Sequence, residues 1–497
     1  MYQTEFFQLI SKCRFRLAYF AKNNFGWGKL RKMNLFRKKN VKSMLDMAQG
    51  KSKLKRDLTA WDLTLLGIGA IIGTGIFVLT GTGAVKAGPA LVISFILAAV
   101  ACGLAALSYA ELASLVPVSG SVYTYSYATL GELIAWIIGW DLVLEYLFAV
   151  SSVSVGWSGY FQSLLSGFGI NLPEALTAAP GVPGKSGIFN LPAFLIVMII
   201  TFLLSRGIRE SKKVNNLMVI IKILVVLLFI AVGIGYVKPA HWSPFAPFGF
   251  SGIFQAAALV FFAYVGFDAV AAAAEETRNP KKDLPKGLLF SLGICTLLYV
   301  IVTLIMTGIV HYQQFNQNMD HPVSLALEVA HQNWAAGIVD LGAIMGMTTV
   351  ILVMLYGQTR IFFSMSRDGL LPKVFSQVHP RFKTPYSSTW LLGTIAAFIG
   401  ALLPLDKLAE LVNIGTLSAF ALVSVGVIVL RYKQPDLPRA FRCPGVPYLP
   451  GLAVLACLFL MSQLKWITWV AFLVWLGIGL IVYFLYSRKH SLLNQEK

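Results

Sequence analysis

Four glycines and a threonine carry the first chemical signal. Gly67, Gly69, Gly73, Thr74 and Gly75 lie in Gly67-Ile-Gly-Ala-Ile-Ile-Gly-Thr-Gly-Ile-Phe77, at the centre of an apolar segment over 62–84. A bilayer-spanning helix takes about 20 apolar residues, and this segment supplies them. Each glycine costs a helix interior up to about 1 kcal/mol relative to alanine, so the cluster predicts a helix that stops and restarts. Unpaired N–H and C=O groups cannot face lipid, so such a break sits only where protein or a cavity surrounds it. A half-helix restarting at Thr74 aims its free N–H groups, the positive end of its dipole, into that cavity. The chemistry on offer is capture of a small anion such as a carboxylate. Close packing of helices through small residues is the plainer reading, and from this stretch alone both stand. A dinucleotide fingerprint is rejected: Gly67-x-Gly69 opens like one, but Ile72 occupies the third glycine's place, inside an apolar span.

The remaining chemistry rests on charges inside apolar segments. Lys222 lies in Asn215-Asn-Leu-Met-Val-Ile-Ile-Lys-Ile-Leu-Val, about 10 Å from the nearer end at 1.5 Å per residue. It either snorkels to the headgroups or is held between helices, where charges mark ion or proton pathways. Asp141 and Glu145, four apart and hence on one helix face, are candidate proton carriers or packing groups. Glu111, Asp340 and Glu410 stand near segment ends, where they are expected to meet water. Asp268 closes a second glycine-interrupted run, Phe261-Phe-Ala-Tyr-Val-Gly-Phe-Asp268.

The elements that must hold these residues follow from composition. Of 497 residues 57% are hydrophobic and 13% charged, against roughly 25% charged in soluble domains, and mean hydropathy is +0.71. The chain reads as an all-α membrane protein with a single polytopic domain over 57–487. Twelve spans are expected, near 61–84, 88–115, 131–165, 190–205, 215–236, 251–275, 286–310, 333–364, 388–403, 408–431, 447–464 and 466–486. The second interruption falls five spans after the first. That spacing predicts a five-plus-five inverted repeat with discontinuous helices 1 and 6, the arrangement that places a solute site at the midplane, followed by two extra helices. The loop over 116–130 is expected against the inner face, and Glu275-Glu-Thr-Arg-Asn-Pro-Lys-Lys-Asp-Leu-Pro285 as a charged turn.

The net charge of +19 is concentrated in a basic tail over 1–56, which holds 15 Lys/Arg and two acids. That placement suits anionic headgroups rather than nucleic acid. With twelve spans, 35 Lys/Arg fall on the side of the termini and five on the other, so both termini, including a tail over 488–497, are expected in the cytoplasm and the protein in the plasma membrane. Met33 is an alternative start. The five cysteines and six histidines show no ligand spacing, so no metal or cofactor is expected.

Together, Gly67–Phe77, Pro117-Val-Ser-Gly-Ser-Val-Tyr-Thr-Tyr, Phe262-Ala-Tyr-Val-Gly-Phe-Asp-Ala, Glu275-Glu-Thr-Arg-Asn-Pro and Ser364-Met-Ser-Arg-Asp-Gly-Leu-Leu-Pro resemble the amino acid–polyamine–organocation superfamily, in particular its bacterial permeases similar to cationic amino acid transporters. The resemblance covers about 50–490 and departs in the long basic extension before Met33. It implies that the amides of Thr74, Gly75 and Ile76, beside Gly73, take an amino acid's carboxylate. Its ammonium would go to the carbonyls of Ile71, Phe262, Ala263 and Val265, with Phe262 as an aromatic lid and the side chain against helices 3, 6 and 8. Lys222 matches the family's helix-5 lysine, standing where sodium-coupled relatives hold a cation and bonding carbonyls near Gly67–Ala70. Burial opposes its charge while carbonyl contacts favour it.

The expected function is proton-coupled import of amino acids by alternating access, not enzymatic chemistry. Lys222 and Glu145 would serve proton coupling. Asp268 belongs to the substrate set: facing the pocket it favours cationic substrates, capping helix 6 it admits neutral ones. The partners expected are an amino acid, a proton and the bilayer; the sequence leaves a small membrane subunit open. An exchanger on the same scaffold and a non-transporting amino-acid sensor are the rivals.

Overall fold

The computed structural model describes residues 37, 58–115, 121–182, 184–207, 212–268, 270, 273, 277–316, 320–437, 439 and 441–495. Apart from Arg37, the basic tail over 1–56 lies outside the described residues, as do 116–120 and 274–276. All regular structure among the described residues is helical: α1 (Ala60–Ile71), α2 (Thr74–Phe77), α3 (Leu79–Ala87), α4 (Leu91–Leu115), α5 (Ser121–Thr129), α6 (Glu132–Gly167), α7 (Leu191–Ser205), α8 (Lys212–Gly233), α9 (Gly249–Val260), α10 (Pro280–Ile309), α11 (Pro322–Val329), α12 (Asn333–Arg367), α13 (Tyr386–Leu402), α14 (Leu405–Lys433), α15 (Tyr448–Ser462) and α16 (Trp466–Val482).

Among the described residues, seven helical stretches are long and apolar enough to cross a membrane: Leu79–Leu115, Glu132–Gly167, Val214–Tyr236, Lys282–Ile309, Asn333–Arg367, Leu405–Lys433 and Trp466–His490. Five shorter apolar helices accompany them. Their outer faces are apolar too, with Leu195, Ile199, Leu217, Leu224, Leu455 and Leu473 all exposed. A contiguous apolar exterior on this scale marks a surface solvated by lipid, and the protein is a multi-pass membrane protein.

Local chemistry sets where helices begin. Thr59 and Asp62 form a reciprocal capping box at α1, satisfying two of the N–H groups that a helix start leaves unpaired. At α7 the Asn190 side chain accepts from Ala193 N–H at 3.2 Å and from the Ser158 hydroxyl of α6 at 2.6 Å. The long helix α6 is the spine of the bundle. It packs along α12, α14 and α13, while α10 packs on α1 and α4 and α8 on α12.

Two local expectations change. Residues 121–129, expected as loop, form α5, whose Tyr123 hydroxyl donates to Asp368 Oδ2 at 2.8 Å. α10 begins at Pro280, so the charged turn expected through Pro285 is largely its first turns, with Asp283 Oδ2 accepting from Asn279 N–H at 3.2 Å. Near the end of the described residues, Ser491 Oγ donates to Glu132 Oε2 at 2.7 Å and Leu492 N–H to Asp368 O at 3.2 Å.

Candidate functional site between two helix interruptions

α1 ends at Ile71, and Ile72 (φ −74°, ψ 104°) carries the chain out of the helix before it restarts at Thr74. The second interruption follows α9. Residues Phe261–Tyr264 tighten into a 3₁₀ turn, Val265 is extended (φ −61°, ψ 135°) and Gly266 takes a positive φ of 113°. The two breaks mesh through glycines. A Cβ on Gly75 would lie 2.3 Å from Ala263 Cα, and one on Gly266 would lie 2.9 Å from Ala70 O. Gly266 is thus required twice, by its φ and by the backbone opposite.

A helix end leaves its last four carbonyls without intrahelical partners. At the end of α1 they can be accounted for one by one. Ile68 O still accepts from Ile72 N–H at 2.8 Å. Gly69 O accepts from the Lys222 ammonium at 2.7 Å. Ala70 O faces Gly266. Ile71 O accepts from the Tyr299 hydroxyl at 2.9 Å, and the same hydroxyl lies 3.0 Å from Ala263 O. On the second break, Asn413 Nδ2 donates to Ala258 O and Leu259 O at 2.7 and 2.9 Å.

Lys222 is fully buried. Its stem runs past α12, where a Cβ on Gly346 would come within 3.2 Å of Lys222 Cε. The snorkelling geometry is therefore absent, and the ammonium sits among α8, α1 and α12.

Beside the breaks lies a small, nearly closed hollow. From the two breaks come Ile71, Gly73, Thr74, Gly75, Phe262 and Val265. The rest of the wall is Ala149 and Val153 of α6 and Val350 and Met354 of α12, each pair four apart on one helix face, together with Ala70. Among the described residues, no charged side chain lines it. As first-turn groups, the N–H groups of Thr74, Gly75 and Ile76 lack intrahelical acceptors, and the Thr74 hydroxyl meets Met347 Sδ at 3.5 Å.

Besides Lys222, four of the candidate site residues stand off this wall. Ile76 is buried one step behind it, and its carbonyl accepts from the Thr80 hydroxyl at 2.8 Å. Ala263 is behind Gly75. Asp268 is buried and accepts from the Tyr146 hydroxyl of α6 at 3.2 Å, so it is directed at α6. Glu145 is buried beside Thr416, with Asp141 and Asp268 as its charged neighbours. Sequence reasoning missed Tyr299 and the aliphatic wall. Tyr299 sits in an unremarkable apolar run, and nothing local to it signals a role 228 residues away.

The amino acid permease family matches residues 58–495. The chain belongs to that family. This permease is 70% identical over 465 residues to the branched-chain amino acid permease BcaP of Bacillus subtilis (strain 168), across 93% of this chain and 100% of that protein. It is 56% identical over 464 residues to the methylthioribose transporter of the same organism, across 93% and 100%. To the vacuolar cationic amino acid transporter 4 of Arabidopsis thaliana it is 41% identical over 414 residues, across 81% and 68%. The resemblance read from the motifs is the family found, and the permease is a transporter rather than an enzyme.

Proposed function

We propose that this permease imports neutral amino acids with aliphatic, preferably branched, side chains across the plasma membrane, coupled to protons through Lys222. The observation that carries the reading is the hollow between the breaks: first-turn amides at one side, backbone carbonyls beside them, and an aliphatic wall with no charged side chain. The amides of Thr74, Gly75 and Ile76 suit a carboxylate. The carbonyls of Ile71, Phe262, Ala263 and Val265 suit an ammonium, which at Ile71 and Ala263 would compete with the Tyr299 hydroxyl. Ala149, Val153, Val350 and Met354 suit a branched hydrocarbon. A cationic side chain would find no counter-charge on that wall, because Asp268 is directed at α6. The name of the 70%-identical relative points the same way.

In this reading twelve helices cross the membrane, helices 1 and 6 are the interrupted members of a five-plus-five inverted repeat, and both termini are cytoplasmic. α1–α3 form helix 1, and α9 with the turn after it opens helix 6. Lys222 occupies an orphaned carbonyl of the first break, as a bound cation would, and gives up and regains its proton as the site opens inward. Glu145 serves as a second proton carrier.

A different solute class has one specific observation behind it, the 56% identity to a methylthioribose transporter. Uptake into proteoliposomes separates the readings. Labelled isoleucine should accumulate under an inward pH gradient, be displaced by unlabelled leucine and valine, and resist arginine and methylthioribose. Displacement by methylthioribose alone would assign the site to that sugar thioether. Isoleucine uptake that requires internal amino acid would make the protein an exchanger, and binding with no flux would make it a sensor.

A further inference from the structure

A second hollow opens to the surface where α14 ends, and its wall includes Arg431, Arg439, Arg442 and Tyr432. Two of these guanidinium groups are anchored by Glu111, which is fully buried near the end of α4. Arg431 grips it with a fork, Nε to Oε1 at 2.8 Å and Nη2 to Oε2 at 2.9 Å. Arg439 adds Nε to Oε1 at 3.0 Å, and its other four donor positions go to the carbonyls of Pro435, Leu437, Leu430 and Gln434. Three guanidinium groups against one carboxylate leave two positive charges at the hollow. Lys433 and Asp436, exposed in the same segment, offset each other.

The positive charge is also available. Arg431 Nη1 has no acceptor among the described residues, its other nitrogens being taken by Glu111 and Cys443 O. Arg442 is exposed and has neither hydrogen bond nor ion pair there. A guanidinium with unfilled donors suits the oxygens of a phosphate group.

A third feature distinguishes a lipid from a free anion. Pro447 lines the hollow, and α15 begins at the next residue. Tyr448, Leu452, Leu455 and Phe459 are all exposed and recur at spacings of four, three and four, so they form one apolar stripe running from the rim down the outside of α15. The tyrosines at its head, Tyr432 and Tyr448, are of the type that settles at the headgroup level.

We propose that this hollow is a binding site for an anionic glycerophospholipid. Its phosphodiester meets Arg431 and Arg442 while its acyl chains lie along the α15 stripe. The lipid would bridge the end of α14 to α15 across residues 434–447, a segment otherwise tied down through Glu111.

Native mass spectrometry of the full-length protein in detergent, titrated with phosphatidylglycerol or phosphatidylcholine, tests it. One basic residue near an anionic headgroup contributes about fivefold in affinity. Phosphatidylglycerol should therefore exceed phosphatidylcholine by fivefold or more, and Arg442→Gln should lower its occupancy about fivefold. Leu455→Asn should weaken it further, Arg381→Gln should leave it unchanged, and millimolar inorganic phosphate should not displace it. Equal occupancy by the two lipids, or a loss in Arg381→Gln as large as in Arg442→Gln, would overturn the site. Displacement by inorganic phosphate alone would overturn the lipid and assign the hollow to a free anion.

Discussion

Lys222 and Glu111 are both fully buried charges, and the molecule treats them differently. Glu111 accepts four N–H bonds, from two guanidinium groups and the Cys443 amide at 2.7 Å, and so joins α4, α14 and the segment after it. Lys222 instead donates at 2.7 Å to Gly69 O, a carbonyl that is unpaired only because α1 stops two residues later. The first arrangement holds helix ends together whatever the centre does. The second exists only while the break keeps its present shape. A charge tied to side chains of fixed elements is a clamp; one tied to an interrupted backbone responds when that backbone moves.

The contrast can be broken in graded steps. Glu111→Ala leaves two guanidinium groups without their carboxylate, and losing one partner of a buried pair costs about 3–5 kcal/mol. The expected result is a large drop in the thermal unfolding midpoint in detergent, with isoleucine affinity of the surviving protein unchanged. If stability holds, Glu111 is no clamp. Lys222→Met should do the reverse. Accumulation of isoleucine under a pH gradient should fall at least tenfold, the scale of a lost charged hydrogen bond of about 1.5–3 kcal/mol, while counterflow with isoleucine on both sides persists. Equal loss of both activities would make Lys222 a structural cap of the break and nothing more.

Gly75→Ala comes next, since its Cβ would meet the Ala263 backbone at 2.3 Å. Overpacking of this kind costs about 1–3 kcal/mol and should reduce both isoleucine binding and uptake, whereas Gly103→Ala, where nothing lies within 4 Å, should be silent in the same binding assay. The smallest effect is expected from Lys465→Gln. Lys465 pairs with Asp406 and Glu410 at 3.4 and 3.2 Å, but its side chain is 53% exposed. Exposed pairs contribute about 0–1 kcal/mol, so the midpoint should barely move, against the drop for Glu111→Ala.

What was legible in the sequence and what was not divides along the same line. Glycine clusters are local signals, so a helix that stops and restarts at Thr74 was legible in Gly67–Phe77, whereas the lone Gly266 gained weight only from its place five spans later. Apolar segment lengths are local too, and each expected segment contains a helix. The partners of buried polar groups are not local. Glu111, Asp340 and Glu410, expected to meet water at segment ends, are all buried. Glu111 finds Arg431 320 residues away, Asp340 Oδ2 accepts from the Ser163 hydroxyl at 2.7 Å, and Glu410 Oε2 from the Thr468 hydroxyl at 2.7 Å. Tyr299 escaped for the same reason. A tyrosine in an apolar run looks like filler until the fold puts two orphaned carbonyls in front of it.

The meshing of the two interruptions has a mechanical corollary. With Gly75 seated on Ala263 and Gly266 on Ala70, each kinked segment fits against the other as teeth fit in a gear. Neither contact leaves room for even a methyl group. If the breaks gate transport as proposed, they either swing as a single lever or separate far enough for a solute to act as the spacer.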